Sequence, residues 1–187
     1  MGLVEIERLA KEFALDVQWA PFLLDPTTPP EGKPRKPATT PGDQPTPLEE
    51  RASNLGIKFS RGRTLTSSSI LALEAADFLA EHPQRDAFYH AMFEAYFTDL
   101  SDIGKIDTIV DAAEKAGIEP SPLRVSLEAR EREESVQHSL ALAHRLGVTA
   151  VPTFVIDERY AIRGAQDYEV FKDVLIRLGK EPSSEEA

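Results

Sequence analysis

The residues with the most chemical potential lie near the end of the chain, in Gly147-Val148-Thr149-Ala150-Val151-Pro152-Thr153-Phe154-Val155-Ile156-Asp157. A glycine ends a helical pattern, a tight connection follows, and a proline opens a short β-branched strand. Read from the residues alone, Val151-Pro152 is an ordinary trans bond, because only about 5–6% of X-Pro bonds are cis. The 187 residues contain no cysteine, which removes disulfides, thiolate catalysis and cysteine-type zinc sites from them. Ser67-Ser68-Ser69 offers hydroxyls, but no Gly-x-Ser-x-Gly elbow surrounds them, so they read as helix caps ahead of Ile70. His82, His90, His138 and His144 show no close metal-ligand spacing, and the last two, six apart, fall on different helix faces. No metal and no cofactor is expected. Gly164-Ala165-Gln166-Asp167 enters the last helix, where free N–H groups can bind an anion, although Gln166 or Asp167 can equally cap that helix.

These groups are carried by an acidic chain of one-core size. Composition is 41% hydrophobic and 28% charged, as in soluble globular proteins, with net charge −11. That charge argues against nucleic acid or an anionic membrane as partner. No apolar run approaches the ~20 residues of a membrane span, and the start has no signal-peptide core, so a cytoplasmic location is expected.

Leu3, Ile6, Leu9, Ala10 and Phe13 predict an amphipathic helix over 2–13, and 16–24 reads as a strand with an edge proline at Pro21. Eight of the fourteen prolines fall between Pro26 and Pro47, giving a long extended loop over 25–47. From Leu48 to Leu146 the periodicity is almost wholly helical. Helices are expected near 48–55, from Ile70 to Pro83, over 84–98 and 105–116, and from Ser121-Pro122 to Gly147 with a break near 128–131. Phe88, Met92, Phe93, Tyr96 and Phe97 read as helical core, Trp19 as a packing residue, and Arg124 to Glu134 as a solvated charged face. Strands at 153–157 and 160–163, joined by a turn at Glu158-Arg159, precede a helix over 167–178. The expected organisation is 1–47 as the first part of an α/β domain, 48–146 as a helical insertion, 147–180 as its second part, and 181–187 as a flexible tail.

This order, with the 16–24 segment, Pro29-Pro30-Glu31-Gly32, Leu71-Ala72-Leu73-Glu74-Ala75-Ala76, Ala95-Tyr96-Phe97, Asp102-Ile103-Gly104, the 146–157 segment and Tyr160-Ala161-Ile162-Arg163-Gly164-Ala165-Gln166, resembles the DsbA-like thioredoxin-domain family, and within it the FrnE-type members. The resemblance implies an α/β fold with a thioredoxin-like mixed sheet, incomplete because its first strand is missing, and an inserted helical domain. It implies a cis Val151-Pro152 bond and a substrate-binding position formed by Ala150, Val151 and Pro152, with the Val151 backbone pairing to an extended thiol substrate. In the glutathione-using relatives the turn at Gln166 holds the γ-glutamyl end, with Ser-Asp where this chain has Ala165-Gln166.

In that family the first strand ends in Cys-x-x-Cys at the start of the first helix, and Met1 falls inside that helix. The absent strand is central in the sheet, and buried backbone groups need partners. The expectation is therefore a segment upstream of Met1 that carries the motif; the alternative is a cysteine-free descendant. Three functions follow from the resemblance: a FrnE-type thiol–disulfide oxidoreductase lacking its catalytic cysteines in these residues, a glutathione-dependent isomerase or transferase of the kappa or chromene-carboxylate type, and a redox-inactive peptide-binding module. The expected partner is a thiol- or disulfide-bearing protein or a glutathione-like small thiol, with a homodimer possible.

Overall fold

A computed structural model describes residues 1–183 of the chain. It divides into two compact units, one of Met1–Trp19 together with the chain from Gly147 onward, the other of Ala20–Leu146. The Pro-rich stretch over 25–47 belongs to the second unit.

In the first unit, α1 (Gly2–Glu12) presents Leu3 and Leu9 to the interior at helical spacing, and Phe13, just past its end, is buried with them. The strands β3 (Thr153–Ile156) and β4 (Tyr160–Arg163) form an antiparallel hairpin with Phe154 opposite Ile162. Its turn is centred on Asp157 and Glu158, both left-handed at φ 50° and 55°, one residue earlier than the periodicity suggested. Arg159 N–H donates to Ile156 O at 3.1 Å, which closes the three-residue connection over 157–159 between the paired Ile156 and Tyr160. Helix α8 (Tyr168–Arg177) packs Phe171 and Leu175 against Leu9 and Phe13, and Phe154 meets Phe171 edge-on at 4.7 Å. Lys172 bonds Glu12 at 2.7 Å, and the Arg8 guanidinium lies 4.4 Å from the Tyr168 ring centre. Of the tail expected over 181–187, Ser183 N–H donates to Glu12 O at 2.6 Å, and 184–187 lie outside the described residues.

The second unit is helical: α2 (Pro47–Asn54), α3 (Ile70–Phe78), α4 (Arg85–Phe97), α5 (Ile106–Lys115), α6 (Pro120–Ala129) and α7 (Glu133–Arg145). A two-residue bridge pairs β1 (Lys33–Pro34) with β2 (Leu65–Thr66). The core gathers Ala75, Leu79, Phe88, Ile109, Ala113, Leu123 and Leu127. The break expected near 128–131 is at Arg130, which ends α6 in the left-handed region at φ 55°.

Five expectations need correction. Residues 16–24 form no strand among the described residues, because the alternation has no neighbouring strand to bond. Trp19 is 38% exposed. Only Phe88 of the α4 aromatic stripe is fully buried. Phe93 is 52% exposed, and Phe97 stacks on Phe59 at 5.0 Å, because the 3.6-residue period turns these rings away from the face that Phe88 and Ala91 share. Ser69 occupies the N-cap of α3 without a capping bond, and α6 starts one residue before Ser121, capped by the Glu119 carboxylate, which accepts from Ser121 N–H at 3.2 Å.

Candidate functional site: the proline loop and the start of the first helix

Pro152 is the node of the site. The Val151–Pro152 peptide bond is cis. Pro152 O accepts from Gly164 N–H at 2.8 Å, which draws the turn before α8 against the loop. On the other side the first residue of α1 comes close: a Cβ built on Gly2 would lie 3.1 Å from both Pro152 Cγ and Phe154 Cζ. Any larger side chain at position 2 must push the proline aside, so glycine is what lets the helix terminus approach. The structure thus brings together two regions far apart in sequence, the N-terminal end of α1 and the loop preceding β3. Helix N-termini concentrate free N–H groups and partial positive charge, the environment that stabilises a thiolate or another anion.

The four residues singled out from sequence take different roles. Ala150 O accepts the Thr153 hydroxyl at 2.8 Å, which folds the loop back on itself. Val151 is 49% exposed, and among the described residues neither its N–H nor its C=O has a hydrogen-bond partner. Gln166 is exposed and donates from Nε2 to Arg163 O at 2.9 Å, so its side chain is engaged in the local turn. Gly164, at φ 82°, makes that turn possible.

Sequence reasoning missed Gly2 and Glu5. The approach of Gly2 to Pro152 is a tertiary contact with no local signal. Glu5, in the first turn of α1, is 3% exposed, and its carboxylate accepts from Arg8 Nη1 at 3.0 Å. Its place in the first turn carried a faint signal, since a carboxylate there is favoured by the helix dipole. Among the described residues no group of three or more His, Asp or Glu side chains is placed to hold a metal ion.

Comparison with known proteins agrees with this arrangement. Over 180 residues the chain is 27% identical to the uncharacterized protein YwbO of Bacillus subtilis (strain 168), covering 94% of this chain and 88% of that one. A probable DsbA oxidoreductase of Streptomyces coelicolor, SCO1869, superposes with a TM-score of 0.65 at 25% identity over 75% of this chain. The match spans 61% of the Streptomyces protein's own length. A putative protein disulfide isomerase from Nitrosomonas europaea shares the fold, with a TM-score of 0.58 at 16% identity over 95% of this chain and 91% of that one. The family model of the DSBA-like thioredoxin domain matches residues 1–176, and the chain belongs to that family.

Proposed function

We propose that this chain is the substrate-holding body of a FrnE-type thiol–disulfide oxidoreductase, acting on an extended polypeptide that carries a thiol or disulfide. The observation that carries the reading is the unpartnered, half-exposed Val151 backbone beside Pro152, at the end of α1. A peptide strand laid along Val151 can exchange N–H···O bonds with it, which holds the neighbouring sulfur by main-chain contacts alone and leaves side-chain identity free. In the exchange step a thiolate attacks one sulfur of the substrate disulfide. One S–S bond forms, the old one breaks, and the electron pair leaves on the departing thiolate. The 187 residues supply the loop and the helix terminus but no sulfur nucleophile, so a thiol must be brought to the end of α1 from outside them.

The test has two arms. The chain as given should reduce insulin no faster than a blank. The same chain preceded by a strand ending in Cys-x-x-Cys should gain activity, and activity equal to the blank would refute the oxidoreductase reading. In the unextended chain, an extended peptide should shift the Val151 amide resonance. A peptide that leaves Val151 unmoved would remove the binding role.

A second reading is a redox-inactive module that holds extended peptides, supported by the unpartnered Val151 backbone, which can pair with a peptide without any sulfur nucleophile. It predicts the same amide shift with no activity after extension. The glutathione-dependent reading has less support, because the Gln166 side chain that would meet the γ-glutamyl end is bonded to Arg163 O.

A further inference from the structure

Arg63 is a cation without a counter-ion. It lies two residues before β2, and its guanidinium rests on the Tyr96 ring, 3.7 Å from the ring centre. Tyr96 is held in turn by Phe97, edge-on at 4.9 Å, and Phe97 stacks on Phe59 at 5.0 Å. Arg63 Nη2 is buried and, among the described residues, has no hydrogen-bond partner. Three carbonyls near the end of α4 are already taken: Glu94 O by Thr98 N–H, Ala95 O by Ser101 N–H and Phe97 O by Ser60 N–H, each at 2.8 Å. Asp102 is the acid whose charge reaches Arg63, but its Oδ1 accepts Gly104 N–H at 3.1 Å, and among the described residues no ion pair joins the two.

A second cation stands beside the first. Arg35 follows β1, where its N–H donates to Thr64 O at 2.8 Å, next to Arg63 in the chain. Its side chain is exposed and, among the described residues, makes no hydrogen bond or ion pair. Burial is the main cause that holds the Arg63 pKa below its ordinary value, and the Arg35 charge adds to it. Buried charges are normally paired, because an unpaired one costs stability. Arg61, in the same segment, follows that rule and is held by Glu49 at 2.8 Å. In a chain of net charge −11, two neighbouring arginines left without a carboxylate are the exception.

We infer that Arg63 and Arg35 hold a doubly charged oxyanion, a phosphate or the phosphate monoester of a small molecule, at the end of the β1–β2 ribbon. Two guanidiniums need two negative charges to neutralise them. A phosphate offers several oxygens to both planar forks at once, whereas a single carboxylate leaves one cation unmatched. The Tyr96 ring fixes the plane of Arg63 in advance, so less side-chain freedom is lost on binding. The site belongs wholly to the second unit, on residues of or next to β1, β2 and α4. None of its residues lies in the unit where a strand upstream of Met1 is expected.

The experiment is a titration of the full chain with sodium phosphate at constant ionic strength, read on the Nε–Hε NMR signals of Arg63 and Arg35. Both signals should shift saturably, and acetate at the same ionic strength should leave them in place. Arg35→Gln removes an exposed charge, and Arg63→Gln keeps a planar polar group against Tyr96. Each should weaken phosphate binding by about tenfold or more, the loss expected for one charged hydrogen-bonding partner. Both should keep the wild-type circular dichroism spectrum, and if Arg63→Gln unfolds, Arg35→Gln decides. Glycerol phosphate is the second ligand: binding tighter than that of inorganic phosphate assigns the site to an ester, and equal or weaker binding assigns it to the free ion. The same titration on the chain preceded by a strand ending in Cys-x-x-Cys should give the same affinity. No saturable shift with either phosphate would overturn the inference, as would acetate binding equally well or an affinity unchanged in Arg35→Gln. A site lost when the upstream strand is added would overturn it too, because that segment would then be what neutralises the arginines.

Discussion

Arg130 shows how one residue joins two helices at a local cost. It ends α6 in the left-handed region at φ 55°, where a side-chain-bearing residue gives up about 1–2 kcal/mol. In return its guanidinium grips the Glu74 carboxylate from Nε at 2.9 Å and Nη2 at 2.6 Å, with a further bond to Glu133 at 3.2 Å. Glu74 is 1% exposed, so its charge has no water to turn to if the arginine goes, and hydrogen bonding to Glu74 holds the Arg130 guanidinium above its ordinary pKa. Removing one partner of a buried pair costs about 3–5 kcal/mol; with Arg130 39% exposed, solvent lowers this to about 2–3 kcal/mol. Glycine tolerates the left-handed backbone and alanine does not. We therefore expect Arg130→Ala to lose about 1 kcal/mol more than Arg130→Gly in urea unfolding. Equal stabilities would mean that the backbone at this break carries no penalty.

At the scale of single elements, α2 is held by reciprocal bonds whose signature is present in the sequence. Thr46 and Glu49 stand three apart, with Pro47 at the first helical position. Glu49 accepts Thr46 N–H at 2.7 Å, Thr46 Oγ1 accepts Glu49 N–H at 3.3 Å, and Arg61 adds bonds at 2.8 and 3.0 Å. The Arg61 hydrogen bonds first, and the Thr46 amide second, pull the Glu49 pKa from an ordinary 4.5 down to about 2. A depressed carboxylate stabilises the fold above its unfolded pKa. The contribution is whole above pH 4.5 and is lost as pH falls toward 2. Wild-type protein should therefore lose stability across that window, and Glu49→Gln should start lower at neutral pH and converge with it in acid. Parallel stability curves in acid titrations of the two proteins would refute this. The legibility of α2 contrasts with two neighbouring elements. The alternation in 16–24 is real in sequence, but a strand needs a partner that no local pattern supplies. In α4, Phe88 and Phe93 look equally apolar, and only tertiary packing selects which ring is buried. The site divides the same way. The proline loop was legible from Gly147 to Asp157, whereas the approach of Gly2 to Pro152 was not, because it joins residues at opposite ends of the chain.

On the scale of the whole molecule, the two units differ in how much core each owns. The helical unit gathers ten buried apolar residues into one cluster, while the unit bearing the proline loop relies on Leu9, Phe13, Phe171 and Leu175. Small cores give small margins, since the surface a chain buries falls with its size. The loop-bearing unit is also discontinuous in sequence, so ordering it requires closing the whole intervening chain, a loop-entropy cost that grows only slowly with length. Phe171, 2% exposed and edge-on to Phe154, is its central ring. Truncating such a phenylalanine costs about 3–5 kcal/mol, comparable with the entire stability of a marginal domain at about 5 kcal/mol. We expect Phe171→Ala to strip hydrogen-exchange protection from α1, α8 and the β3–β4 hairpin while α5 and α6 keep theirs. Its thermal unfolding should separate into two transitions, with only the first displaced from wild type. Protection lost evenly from both units would show that they fold as a single cooperative body and that the proline loop draws its order from the helical core.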